Sequence, residues 1–154
     1  MASKRFNARE ILRQIELELF EDIGETSLAI LRNVVAASPV GNPDNWVNPA
    51  GAPAGYVGGH FKRNWLVSVG GFNEAEVEGT DSNGATTIAG GQGVIEGHSR
   101  GRSKARLVIQ NNVPYAGVLA AGGHAVSPPA SEPGWIDDQI DAALSVPGGR
   151  RDLR

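Results

Sequence analysis

The sequence contains no cysteine, so disulfides and zinc–thiolate centres are excluded and the redox compartment is left open. It also lacks any apolar run near the ~20 residues of a membrane span. The best candidate, Leu28 to Ala37, is broken by Arg32 and Asn33. Lys4, Arg5 and Arg9 are not followed by an apolar core region, so no secretory signal is expected. A dominant charge is missing too: a formal net charge of −3 gives no global pull towards nucleic acid or a membrane surface.

The motifs that announce common chemistries are absent as well. There is no Gly-x-Ser-x-Gly elbow, no Walker A lysine motif and no carboxylate pair in a recognisable frame. His60, His98 and His124 all sit beside glycines without the spacing of a helical zinc motif, and they are read as exposed loop residues. The segment Gly91 to Gly97 (GQGVIEG) is one residue off a dinucleotide fingerprint, but no strand precedes it to open a βαβ unit. No catalytic, cofactor-binding or metal-binding residue is therefore assigned, and an enzyme would need a composite site that no motif marks.

Glycine is what the chain has in excess, 21 of 154 residues, about twice the usual ~7%. With nine prolines added, much of the chain must be loop. The length suits one domain over residues 1–146 with its own core, followed by a flexible basic tail over 147–154 (PGGRRDLR).

The clearest element is a helix over 7–37. Leu12, Ile15, Leu19, Ile23, Ile30 and Val34 recur at spacings of three, four and seven, with Asn7 as N-cap and Glu10 three residues on. Gly24 interrupts without shifting the stripe, which predicts one helix with a weak point. At 1.5 Å per residue it would span roughly 45 Å. A helix that long either crosses a whole sheet or projects towards a partner.

Ser38-Pro39 ends it, and residues 38–59 form a loop with five glycines and four prolines. Phe61 to Gly70 reads as a strand, with Phe61, Arg63, Trp65, Val67 and Val69 on one face and Lys62, Asn64, Leu66 and Ser68 on the other. Residues 72–79 extend it or make a second strand. Asp81 to Gly84 is a turn or helix N-cap, and 85–97 a helix that needs tertiary packing, because Gly90, Gly91 and Gly93 weaken it. Residues 98–104 are a basic connector and 105–111 a strand. Asn111-Asn112-Val113-Pro114 then turns into a two-turn helix over 115–121, closed by Gly122-Gly123. A loop over 124–134 precedes an amphipathic helix over 135–144, with Ile136, Ile140 and Leu144 inward.

Two groups of residues stand out as candidate partner interfaces. Arg100, Arg102, Lys104 and Arg106 alternate, so an extended backbone would project all four to one side. That run is read first as a solvated loop, second as a contact for an acidic protein and third as a phosphate contact. In the 38–59 loop, Trp46, Tyr56 and Val57 are either interface anchors or aromatic and aliphatic groups packed back on the domain.

Two separated stretches also carry a family resemblance. Ser38-Pro39-Val40-Gly41 followed by Gly55-Tyr56-Val57-Gly58-Gly59-His60-Phe61-Lys62-Arg63-Asn64-Trp65 resembles the loop-to-strand signature of the tail-completion, or neck, proteins of long-tailed bacteriophages. Val108 to Ala116 (VIQNNVPYA) resembles that family's second signature, a strand ending in Asn-Asn and then Pro-Tyr-Ala. The resemblance implies an α+β fold, with a long N-terminal helix packed on a small antiparallel sheet. It implies a non-catalytic virion role at the head–tail junction or the top of the tail, in a ring around the DNA channel, hexameric by analogy. The implied partners are further copies of the chain and neighbouring head–tail connector, tail terminator or tail tube proteins. The implied location is the virion, with the host cytoplasm during assembly. The chain departs from the pattern after the Pro-Tyr-Ala helix, where Leu119 to Gly123 has no acidic residue and a further helix follows. The alternative is a small nucleic-acid-binding module using residues 100–106.

Overall fold

The computed structural model describes residues 7–45, 48–52, 54–122 and 132–145. Trp46, His124 and the basic segment 147–154 lie outside the described residues. The architecture is α+β: among the described residues there are a long N-terminal helix, a two-stranded antiparallel sheet, four further α-helices and two single 3-10 turns.

Helix α1 (Ala8–Ala37) is capped as its sequence predicts: the Asn7 side chain accepts the Glu10 amide at 3.4 Å. It ends at Ser38, whose hydroxyl donates back to the Val34 carbonyl at 2.6 Å. Gly24 does not interrupt this helix. Ser99 packs so closely against its α-carbon that a side chain there would force Ser99 aside, so Gly24 is the notch through which α1 meets its neighbour. Only the second half of α1 enters the core, through Leu31, Val34 and Val35, with Phe20 the first buried residue. Leu12, Ile15 and Leu19, on the same apolar stripe, stay more than half exposed among the described residues.

The strand expected over 61–70 starts later. Gly59 takes φ 111, and its α-carbon lies against the backbone of Asp81 and Ser82, which only glycine permits. The chain leaves that turn as one helical turn, α2 (His60–Arg63), and becomes strand β1 only at Trp65–Val69. The alternating faces expected for 61–64 are lost with the strand: Phe61 and Trp65 are buried, but so are Lys62 and Asn64, while Val69 is exposed. Strand β2 (Leu107–Asn111) pairs antiparallel with β1, Trp65 opposite Asn111 and Val69 opposite Leu107. Residues 72–79 form neither an extension of β1 nor another strand. Side chains of Asn64, Gln110 and Asn112 bond their backbone instead.

Helix α3 (Ala85–Arg100) forms despite its glycines, with close packing at its N-cap glycine and at one glycine inside it. Gly84, at φ 77, lets the helix start against Val35, and Gly91 sits where Leu31 of α1 and Val67 of β1 both press in. Helix α1, helix α3 and the sheet thus converge at Gly91. The near-fingerprint 91–97 lies wholly inside this helix, so it cannot form a phosphate-cradling loop. The helix also runs on through His98 to Arg100, consuming the start of the expected connector.

After β2, the short helix α4 (Ala116–Ala120) precedes Gly122, at φ 70. Helix α5 (Trp135–Ser145) closes the core through Trp135, which is fully buried and donates its indole N–H to the Leu119 carbonyl at 2.9 Å. Its inward face differs from the expected one: Ala143 is buried and Leu144 is exposed. The core is Leu31, Val34, Val35, Phe61, Trp65, Ile95, Val113 and Trp135.

Candidate functional site

The two stretches that carry the family resemblance are far apart in sequence and meet in the fold. Asn111 donates its side-chain amide to the Phe61 carbonyl at 2.8 Å and accepts the Val113 amide at 3.3 Å. One side chain therefore fixes both the turn after β2 and the helical turn before β1. Trp65 reaches the other way, donating its indole N–H to Ser38 Oγ at 2.7 Å. The first stretch closes on itself at Gly58, whose α-carbon abuts the Gly41 carbonyl with no room for a β-carbon. Glycines at 41, 58 and 59 are thus needed for close approach of backbone to backbone or to the Tyr56 hydroxyl, which lies against Gly41.

These elements line an open cleft of about 530 Å³ between Pro39, Gly41, Tyr56, His60, Tyr115 and Leu119, with Phe61 at its base. The wall is mostly aromatic and aliphatic. Burial pushes the Tyr115 phenol above its ordinary pKa, and the negative charges available to Tyr56 and Glu76 add to that, so it stays a neutral hydroxyl.

His60 stands at the edge of the cleft with both ring nitrogens engaged. Nδ1 lies 2.7 Å from the Gly79 carbonyl, which can only accept, so Nδ1 carries a proton. Nε2 lies 2.8 Å from Glu76 Oε1, and an ionised carboxylate there needs a second proton. The Glu76 bond, with the Gly79 bond next in size, raises the His60 pKa against the opposing effect of burial. An imidazole held this way has no lone pair to offer a substrate or a metal; it ties segment 72–79 to α2. Lys62, beneath it on the same turn, has its amine pKa lowered by burial, with Asp81 partly opposing. Burial would raise the Asp81 carboxyl, but hydrogen bonds from Thr87 and Gly84 and the charge of Arg63 outweigh it and hold the pKa low.

The two described histidines are therefore not loop residues. His60 lies on α2, and His98 is buried on α3, its ring edge-on to Phe20 at 6.2 Å and its Nε2–H donating to the Ala105 carbonyl at 2.8 Å. Both bonds run to residues that are remote in sequence or not yet in a regular element, so glycine neighbours alone misled. Among the described residues no group of three or more His, Cys, Asp or Glu could hold a metal ion. None of the described helices is long and apolar enough to cross a membrane.

The basic run is not extended. Arg100 closes α3 and pairs with Glu96 one turn back. Arg102 sits at φ 48, in the left-handed turn that leaves the helix. Arg106 enters β2 and lies over the Phe72 ring, 5.3 Å from its centroid. All four cations are exposed, but the helix end and the reversal at Arg102 break the alternation that an extended chain would give them. Of the loop anchors, Tyr56 lines the cleft and Val57 is 58% exposed.

The residue that the sequence hides is Asn64, which is fully buried with no local signal to mark it. For α1, the over-long helix and its apolar stripe are visible in the sequence, and the exposed N-terminal half fits the second of the two outcomes expected for it. No protein-family model, no curated protein and no solved structure matches this chain.

Proposed function

We propose that this chain is a non-catalytic structural protein of a tailed-bacteriophage virion, acting at the head–tail junction or the top of the tail within a ring around the DNA channel. The observation that carries the proposal is the meeting of the two family-like stretches. The Asn-Asn turn after β2 and the Gly-Gly-His-Phe turn before β1 are joined by the Asn111–Phe61 bond across 50 residues of sequence. Residue types that look like a signature in the sequence are thus the ones the fold uses to join its parts. The uncovered first half of α1 supports an assembly role, because apolar stripes of this kind are normally buried against something. The ring contacts would run to further copies of the chain and to connector, terminator or tail tube proteins.

The test is an amber mutation in the gene, in the phage that encodes it. The expected outcome is filled heads and tails that fail to join, or tails of abnormal length, restored by supplying the protein in trans. Normal infectious particles made without the protein would overturn the reading. The second reading, a nucleic-acid-binding module, draws on the exposure of Arg100, Arg102, Lys104 and Arg106. It requires DNA binding that falls steeply with salt and is lost when Arg102 and Lys104 become alanine.

A further inference from the structure

The first three turns of α1 project from the body with an apolar seam that no other described part of the chain covers. Leu12, Ile15 and Leu19 are 64%, 55% and 54% exposed, and Ile11 lies beside them at 43%. The seam stops where Phe20 turns into the body against His98. Its spacing of three and four makes it a short two-turn strip of the kind that pairs helices.

The charges beside the seam are not evenly placed. Arg9 and Glu16, seven residues apart, flank it on one side, next to Leu12, and Ile11 and Glu18 flank the other. Among the described residues the ion pairs within the chain are His60–Glu76 and Glu96–Arg100, and neither includes Arg9 or Glu16. Two antiparallel copies of this helix bring like flanks together, which sets Arg9 of each against Glu16 of the other. A parallel pair sets the Arg9–Glu16 flank against Ile11 and Glu18 and leaves Glu16 with no cation opposite it.

We infer that the projecting half of α1 is a docking surface for a second copy of the chain, paired antiparallel. Leu12 packs between copies against Ile15, Leu19 against Ala8, and Arg9 bonds Glu16 twice, once in each direction. The overlap covers residues 8–19 of both copies, the part of α1 that precedes its first buried residue, Phe20. Four apolar side chains from each copy make a small interface, so the pair is reversible. The inference does not depend on the virion reading. It is tested in purified protein, and its failure leaves the genetic test above untouched.

Sedimentation velocity over a concentration series is the measurement, with circular dichroism confirming that each variant stays folded, as exposed positions should. The wild type is expected to shift from monomer to dimer as concentration rises. Leu12→Asp abolishes the shift. Arg9→Glu or Glu16→Arg alone weakens it about tenfold, by turning two attractions into two repulsions, and the double variant R9E/E16R restores it. The absence of native cysteine allows a direct check of direction: a mixture of L12C and I15C proteins forms the mixed disulfide in preference to the L12C homodimer. A wild type that remains monomeric at its highest soluble concentration overturns the inference and assigns the seam to another partner. A double variant as weak as the single ones, or a dominant L12C homodimer, overturns it equally.

Discussion

Asn64 grips Val77 from both sides. Its Oδ1 accepts the Val77 amide at 2.7 Å and its Nδ2 donates to the Val77 carbonyl at 3.1 Å, while the same Nδ2 donates to the His60 carbonyl at 3.0 Å. A side-chain amide thus does for segment 72–79 what a neighbouring strand would do, satisfying a backbone donor and acceptor at once. With Gln110 and Asn112 bonding Asn73 and Ala75, the acidic segment is carried on amide side chains.

The first prediction concerns this grip. Asn64→Asp keeps the shape but replaces a donor that faces two carbonyls with a buried carboxylate oxygen. The expected loss is about 3 kcal/mol, from unsatisfied carbonyls and a desolvated charge, read as a fall in the urea midpoint. A change under about 0.5 kcal/mol would show that the segment is held by other contacts.

The second concerns pH. The folded His60 holds its proton more tightly than the unfolded residue, whose reference pKa is 6.5. Between those two pKa values the native state binds more protons than the unfolded state, so stability falls as pH rises. The contribution is therefore full below about pH 6.5 and disappears as pH climbs through the raised native value. Nuclear magnetic resonance titration of the His60 ring should give a pKa above the reference, and Glu76→Gln should bring it down. A native pKa at or below 6.5 would count against the Glu76 bond.

The third separates two kinds of glycine within one helix. Gly91 has Leu31 and Val67 pressed against it, whereas Gly90 and Gly93 face open space. Gly91→Ala should destabilise by about 1–3 kcal/mol through overpacking. Gly90→Ala and Gly93→Ala should each stabilise, by up to about 1 kcal/mol, because alanine costs less backbone entropy in a helix. Chemical denaturation of the three variants reads the contrast directly, and equal effects at all three sites would mean that α3 does not meet α1 and β1 at Gly91.

Legibility varied along the chain for reasons that can be named. Helix α1 was readable to within a residue because thirty residues of periodic pattern and an Asn cap all agree. Helix α3 was readable only as a helix in need of neighbours, since the value of Gly91 lies in Leu31 and Val67, which are remote in sequence. The strand expected over 61–64 failed because Gly59 at φ 111 redirects the chain, and the reason for that φ is the backbone of Asp81 and Ser82, more than twenty residues on. The extended backbone that would align the basic run is not formed, because α3 extends to Arg100 and Arg102 takes a left-handed φ.

Periodicity, caps and turn residues are local, so the sequence alone determined the long helix, a strand ending at Asn111, the turn after it and the absence of any cysteine chemistry. Which half of an apolar stripe is covered, which asparagine becomes a buried clamp and which glycine is a contact depend on what arrives from elsewhere in the chain. Those were decided by tertiary packing alone, because burial and hydrogen-bond satisfaction belong to pairs of segments and not to either one.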